Sequence, residues 1–166
     1  MTGRLNALAT VILMASVQAE AASNTLHHLP LLEFAQGCVV KAFELNYGSY
    51  ERQLQNLHTE CMTDPAYRDW RSSLQRAGIL DQLKSPKNGL VLAVNSGPGR
   101  VTQEGVKKVG SLDRYTATVR TPVAIVFNGN LARAPEGYVE TDVIRVRQND
   151  RIVGYAIHAI RLNIKK

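Results

Sequence analysis

Long apolar runs are scarce in this chain. A membrane-spanning helix needs roughly 20 consecutive apolar residues. The best stretch, Leu5 to Val17, is shorter and is interrupted by Asn6, Thr10 and Ser16. No later segment comes closer, which excludes a polytopic membrane protein. Cysteine is almost as rare: Cys38 and Cys61 are the whole supply, and Cys-x-x-Cys is missing. Their spacing fits neither a zinc site nor a thioredoxin-like redox motif. Aromatic residues make up 6% of the chain, and its basic residues are dispersed. The clustered basic stripe with interleaved aromatics that marks a nucleic-acid binder is therefore lacking, and nucleic acid is not an expected partner. Gly97-Pro98-Gly99 is not followed by Lys-Ser or Lys-Thr, so it reads as a turn and not as a phosphate cradle.

What is present begins at the N-terminus. Arg4 gives a short positive region, the apolar stretch follows, and Val17-Gln18-Ala19-Glu20-Ala21 is a small-residue site that a signal peptidase can cut. The expected organisation is a signal peptide over residues 1–21, cut after Ala19 or Ala21, a flexible arm over 22–30, and one domain over 31–166. The expected location is the periplasm, with no stable membrane insertion after cleavage. The alternative is an uncut inner-membrane anchor facing the periplasm. Hydrophobic residues make up 45% of the chain and charged ones 20%, which suits a packed core. The net charge of +6 suits solubility and acidic or anionic partners.

The exported portion divides into a helical half and a stranded half, the pattern of an α+β fold. Phe34, Cys38, Ala42 and Leu45 share a stripe and predict a helix over Leu31 to Leu45. Tyr50, Leu54, Leu57 and Cys61 predict a second, capped by Ser49 or Asn46. Asp64-Pro65 reads as an N-cap with proline in the first turn. Ala66, Tyr67, Trp70, Leu74 and Ala77 continue that helix to a left-handed stop at Gly78. Export places the two cysteines where disulfides persist. The readings are a Cys38–Cys61 disulfide or two buried thiols. Placement about equally far from the break at Gly48-Ser49 favours the disulfide if the two helices fold back there.

From Leu90 the period changes to that of strands. Leu90 to Val94 is a buried strand and Val101 to Val109 a weaker one. Tyr115, Ala117, Val119, Val123, Ile125 and Phe127 alternate with polar residues. Pro122 argues for an edge or a bulge. A phase change from Val143 to Ile144 and Val146 predicts a bulge in the next strand, and Asn149-Asp150 a tight hairpin into a last strand over Ile152 to Ile164. The picture is a curved antiparallel sheet with helices in its concavity.

No catalytic constellation is visible. His27 and His28 are adjacent in the arm, a poor metal pair. His58 is expected to face solvent, and His158 to be a satisfied core histidine. Asp64, Asp69 and Asp81 belong to helix ends and exposed faces. No enzyme activity, metal or cofactor is expected. Arg114 and Arg120, on the polar face of one strand, are the candidate interface residues, because arginine makes forked hydrogen bonds at interfaces.

The order Tyr50-x3-Leu54-x2-Leu57, Thr63, Tyr67, Trp70, Leu74, Gly78, Leu80 and then the strand Leu90 to Val94 resembles the periplasmic domain of the DotI/IcmL/TraM family. The resemblance runs, more weakly, to the C-terminus. It implies a nuclear-transport-factor-two-like roll, and a subunit of a type IVB secretion or conjugation apparatus that assembles with other apparatus subunits. It supplies no active-site residues. The sequence departs from the pattern at Cys61 and Met62, where aromatics are favoured, at the ring types of Tyr67 and Trp70, and in an N-terminal segment that looks cleavable. The rival readings are a ligand-binding or enzymatic protein of the same roll, with His158 as its candidate group, and a secreted binding or inhibitor protein.

Overall fold

The computed structural model describes residues 28–88, 90–128, 136–151 and 153–164. The expected signal peptide, both cleavage sites (Ala19 and Ala21) and His27 lie outside the described residues. Residues 1–30 and 31–166 form separate units, and the fold below is that of the second. Its helix α1 runs to residue 43, and residues 28–30 are already helical. The expected start at Leu31 is thus late: Pro30 stands near the beginning of the described helix, and proline is tolerated in a first turn, where backbone N–H groups have no intrahelical acceptor.

Leu31, Ala35, Cys38, Val39 and Ala42 recur at spacings of three and four and are all buried, so one stripe of α1 packs inward. The helix ends before Leu45, which was expected to belong to it. Leu45–Asn46 instead form a short strand, β1, opposite Val91 and Leu90. Helix α2, Tyr50–Glu60, buries Leu54 and Leu57. Its N-cap Ser49 hydrogen-bonds side chains, Asn46 Oδ1 at 3.1 Å and Gln53 Oε1 at 3.2 Å, and no backbone amide. Helix α3, Asp64–Arg76, buries Ala66, Trp70 and Leu74. Its N-cap is Thr63, with extended backbone, one residue earlier than the expected Asp64. Gly78 stops it with φ +72°, a left-handed conformation that only glycine adopts cheaply. A short α4, Ile79–Gln82, inserts Leu80.

Among the described residues six strands follow one antiparallel plan. β2 is Leu90–Asn95, β3 Arg100–Val109, β4 Leu112–Phe127, β5 Glu136–Arg145 and β6 Tyr155–Ile164. The order is β1-β2-β4-β5-β6, with β3 also on β4. β4 is the spine. One flank carries β3 and β2 end to end, β3 along Leu112–Arg120 and β2 along Val123–Phe127. The break between them falls opposite Pro122, whose carbonyl accepts the Ser96 N–H at 3.1 Å. Proline has no N–H to give, so a gap in the neighbouring strand wastes no donor there.

Ala117, Val119, Val123, Ile125, Val139, Val143 and Ile157 join the helical residues in one core, and the helices cover a single face of the curved sheet. This is the α+β roll that the pattern implied. Two strand details differ. The extra residue lies on β6 and not on β5: Asp142 faces Ala159 and Val143 faces Ile157, so His158 is the bulge. Ile144 is simply the next alternating residue, buried to 4% exposure on the face away from the helical core. The β5–β6 connection is also longer than a tight hairpin. Arg147 O accepts from the Asp150 and Arg151 N–H groups in a helix-like turn, and Gly154 closes it onto Val146.

Candidate functional site

Three groups of side chains tie the layers together and shape the surfaces available to a partner. The first is the disulfide between Cys38 and Cys61, with Cα atoms 5.8 Å apart. It staples α1 to the end of α2, and the Lys41–Glu60 ion pair lies beside it. Above it opens a cleft of about 620 Å³ between α1 and the β5–β6 loop, with Phe34, Gly37, Cys61, Asp150 and Val153 among its lining residues.

The second group centres on Arg151, in that loop. Its guanidinium donates to the carbonyls of Thr59, His58 and Met62. These are carbonyls at and just past the C-terminal end of α2, where intrahelical donors run out and the helix dipole is negative. One planar fork thus satisfies several acceptors. Burial pulls the Arg151 pKa down, and the Asp64 charge opposes this. Nearby, Thr63 N–H donates to Ile157 O at 2.9 Å and Ile157 N–H to Cys61 O at 2.7 Å. The α2–α3 junction therefore covers the β6 edge at that point.

The third group is a charged lattice on the outer face of the sheet. Arg120 donates to Glu140 Oε1 at 2.7 and 3.2 Å and lies over the Tyr138 ring, 4.2 Å from its centroid. Arg161 makes a two-pronged contact with Asp142, both bonds 2.8 Å, and Thr118 donates to Asp142 Oδ1 at 2.8 Å. Burial raises the Asp142 carboxyl, but the Arg161 and Thr118 bonds outweigh it and leave the carboxyl below its ordinary value. A similar fork, Arg71 to Glu51 at 2.7 and 2.8 Å, joins α3 to α2.

Of the residues singled out in the sequence, Cys38 and Cys61 meet. Arg120 is engaged within the lattice, and Arg114 donates to Arg145 O at 3.1 Å. His58 stacks on Tyr67, centroids 4.3 Å apart, with Nε2 2.8 Å from Asp64 Oδ1, so it is less solvent-facing than expected. His158 was expected to be a satisfied core histidine; as the bulge residue it is half-buried and outside the core, and its Nδ1 is buried with no hydrogen-bond partner among the described residues. Arg151, Glu140, Asp142 and Arg161 were missed. The opposite charges of the last three recur at spacings that become cross-strand neighbours only once the register is known. Among the described residues no group of three or more His, Cys, Asp or Glu is placed to hold a metal ion, and no helix is long and apolar enough to cross a membrane.

These features define a class: a small α+β roll whose helical layer is pinned to one side of an antiparallel sheet and whose ionisable groups chiefly join its own elements. Solved structures with this fold carry informative names. A periplasmic fragment of TraM superimposes with a TM-score of 0.70 at 19% identity, over 83% of this chain and 98% of that one. The periplasmic domain of DotI gives 0.68 at 21%, over 80% and 92%. An IcmL-like type IV secretion system protein from Legionella pneumophila gives 0.56 at 12%, over 82% and 91%. No curated protein sequence matches the chain. The profile of the DotI/IcmL family, described as an inner-membrane complex component of the type IVb secretion system, matches residues 10–162. The chain belongs to that family.

Proposed function

We propose that this protein is a non-enzymatic periplasmic subunit or accessory protein of a type IVB secretion or conjugation apparatus, exported with loss of its N-terminal segment and acting by protein–protein assembly. The observation that carries the proposal is the match of almost the whole chain to a family of inner-membrane complex components. Its fold relatives, two of them periplasmic pieces by name, support the same compartment. A disulfide at Cys38–Cys61 suits an oxidising compartment as well. The surfaces offered to other apparatus subunits are the sheet edges and the polar outer face that bears Arg114 and Arg120. Crosslinking in cells that carry the apparatus, followed by mass spectrometry, tests the proposal. Apparatus subunits are the expected catch. Recovery of none of them, together with loss of function in a His158→Gln variant of unchanged melting temperature, would replace it with a ligand-binding or enzymatic role.

A further inference from the structure

The β3–β4 hairpin stands out from the rest of the sheet because its outer strand is bare. Val106 is 71% exposed, Leu112 is 54% exposed, and Gln103, Glu104, Lys107 and Lys108 are exposed as well. Among the described residues β3 pairs with β4 alone. The hairpin closes through Gly110-Ser111, since Val109 faces Leu112. In such a two-residue turn the flanking pair exchanges both backbone hydrogen bonds, and bonded pairs then recur at every second residue. Val109, Lys107 and Gly105 therefore spend their backbone groups on β4, and Lys108, Val106 and Glu104 aim theirs outward. The register slips at Thr102, so the regular part of the edge runs from Gln103 to Val109, and among the described residues no strand lies on its outer side; such an edge is a template for another strand.

We propose that this edge pairs with the same edge of a second copy of the chain, antiparallel and centred on Val106, so that two sheets become one. The charges select both the partner and the register. A twofold axis relates residue i to its own copy at the centre and places opposite residues on one face of the sheet. Centred on Val106, the pairing sets Val106 against Val106, Glu104 against Lys108 twice, and Lys107 against the side-chain-free Gly105. Centred on Glu104 it would oppose two carboxylates. Centred on Lys107 or Lys108 it would oppose two ammonium groups. Centred on Gly105 it would leave Glu104 facing valine. The Val106 register alone among these opposes charges of unlike sign, Glu104 to Lys108 twice, and buries the exposed valine. Glu104 already receives the Tyr115 hydroxyl, and a carboxylate accepts more than one donor. This pairing does not depend on export or on which apparatus the protein serves.

Two experiments on the purified protein decide it. In sedimentation velocity the wild type should self-associate to a dimer. Glu104→Lys and Lys108→Glu should each weaken the dimer about tenfold or more, since each puts like charges opposite one another twice, and the double reversal should restore it. Melting temperatures verify that the variants fold. Across the axis the two Cα atoms of residue 106 should lie about 5.5 Å apart, within disulfide range. Val106→Cys should therefore crosslink to its own copy on mild oxidation. Thr102→Cys, far from the axis, should not. A wild type that stays monomeric at all concentrations, a double reversal that fails to restore the dimer, or equal crosslinking of both cysteine variants would overturn the proposal. So would a Val106→Cys variant that, oxidised in cells, crosslinks to a different protein in place of its own copy.

Discussion

The guanidinium of Arg151 reaches from the last loop of the chain to the carbonyls at the end of α2. Removing it strands polar acceptors in a partly buried place, which costs more than one exposed hydrogen bond is worth. Arg151→Ala should lower stability by about 2 kcal/mol in urea unfolding. Arg151→Lys should recover less than half of that, because a single ammonium cannot span the same acceptors. The disulfide acts on the other side of the same junction. Closing a loop over a sequence separation of 23 constrains the unfolded chain, so Cys38→Ser with Cys61→Ser should cost about 3 kcal/mol. The two changes should not simply add, since both loosen the end of α2; a double-mutant cycle measures the difference. The disulfide was within reach of the sequence, because symmetric spacing about Gly48-Ser49 is a one-dimensional fact that survives folding. Arg151 was not. Nothing local distinguishes an arginine in a polar turn that caps a distant helix from one that meets only water.

At the scale of elements, the helices were legible and the seams between them less so. Apolar spacing marked α1, α2 and α3, and Gly78 marked where α3 stops. Leu45 was misassigned because it is buried either way: a leucine continuing a helical stripe and a leucine pairing with Val91 look alike without the partner strand. The bulge shows a related limit. Two adjacent apolar residues, Val143 and Ile144, read as a phase change, but both faces of β5 are buried there and β5 alternates throughout; only the register shows that the extra residue is His158 on β6. The charged lattice links β4, β5 and β6 and gives the sheet a pH response. Asp142 and Glu51 are both held below their ordinary values, Asp142 by Arg161 and Thr118 against the opposing effect of burial, Glu51 chiefly by its Arg71 bond. A depressed carboxyl contributes stability that is complete above its unfolded pKa, about 3.9 for Asp and 4.3 for Glu, and is lost as pH falls through the folded value. Stability to urea should therefore be insensitive to these groups from neutral pH down to about 5 and decline below about 4. Asp142→Asn should flatten that decline while lowering stability at neutral pH. A decline equally steep in the variant would remove Asp142 from the account.

On the scale of the whole molecule, the core contains no member earlier than Leu31 among the described residues, and residues 31–166 cohere as a unit separate from residues 1–30. Two consequences meet here. If the first 21 residues serve export, they are removed before the domain works and its fold cannot depend on them, so a chain beginning at Ala22 should melt within about 1 °C of one that retains them. The reason for expecting removal is itself physical. The run from Leu5 to Val17 falls short of the roughly 20 residues that span a bilayer, and Val17, Ala19 and Ala21 put small or apolar side chains at every second position of the sequence, as a signal peptidase needs. Protein recovered from the periplasm should therefore begin at Glu20 or Ala22, and its intact mass should be two hydrogens lighter than that of the reduced chain, because Cys38 and Cys61 oxidise only after crossing. Finding Met1 on protein in the membrane fraction would instead make the segment an anchor, with the disulfide still formed on the periplasmic side. A mature mass with both thiols alkylatable would uphold the cut but sink the oxidising compartment, since the 5.8 Å Cα separation leaves the pair nothing but the reducing power of its surroundings to keep it open.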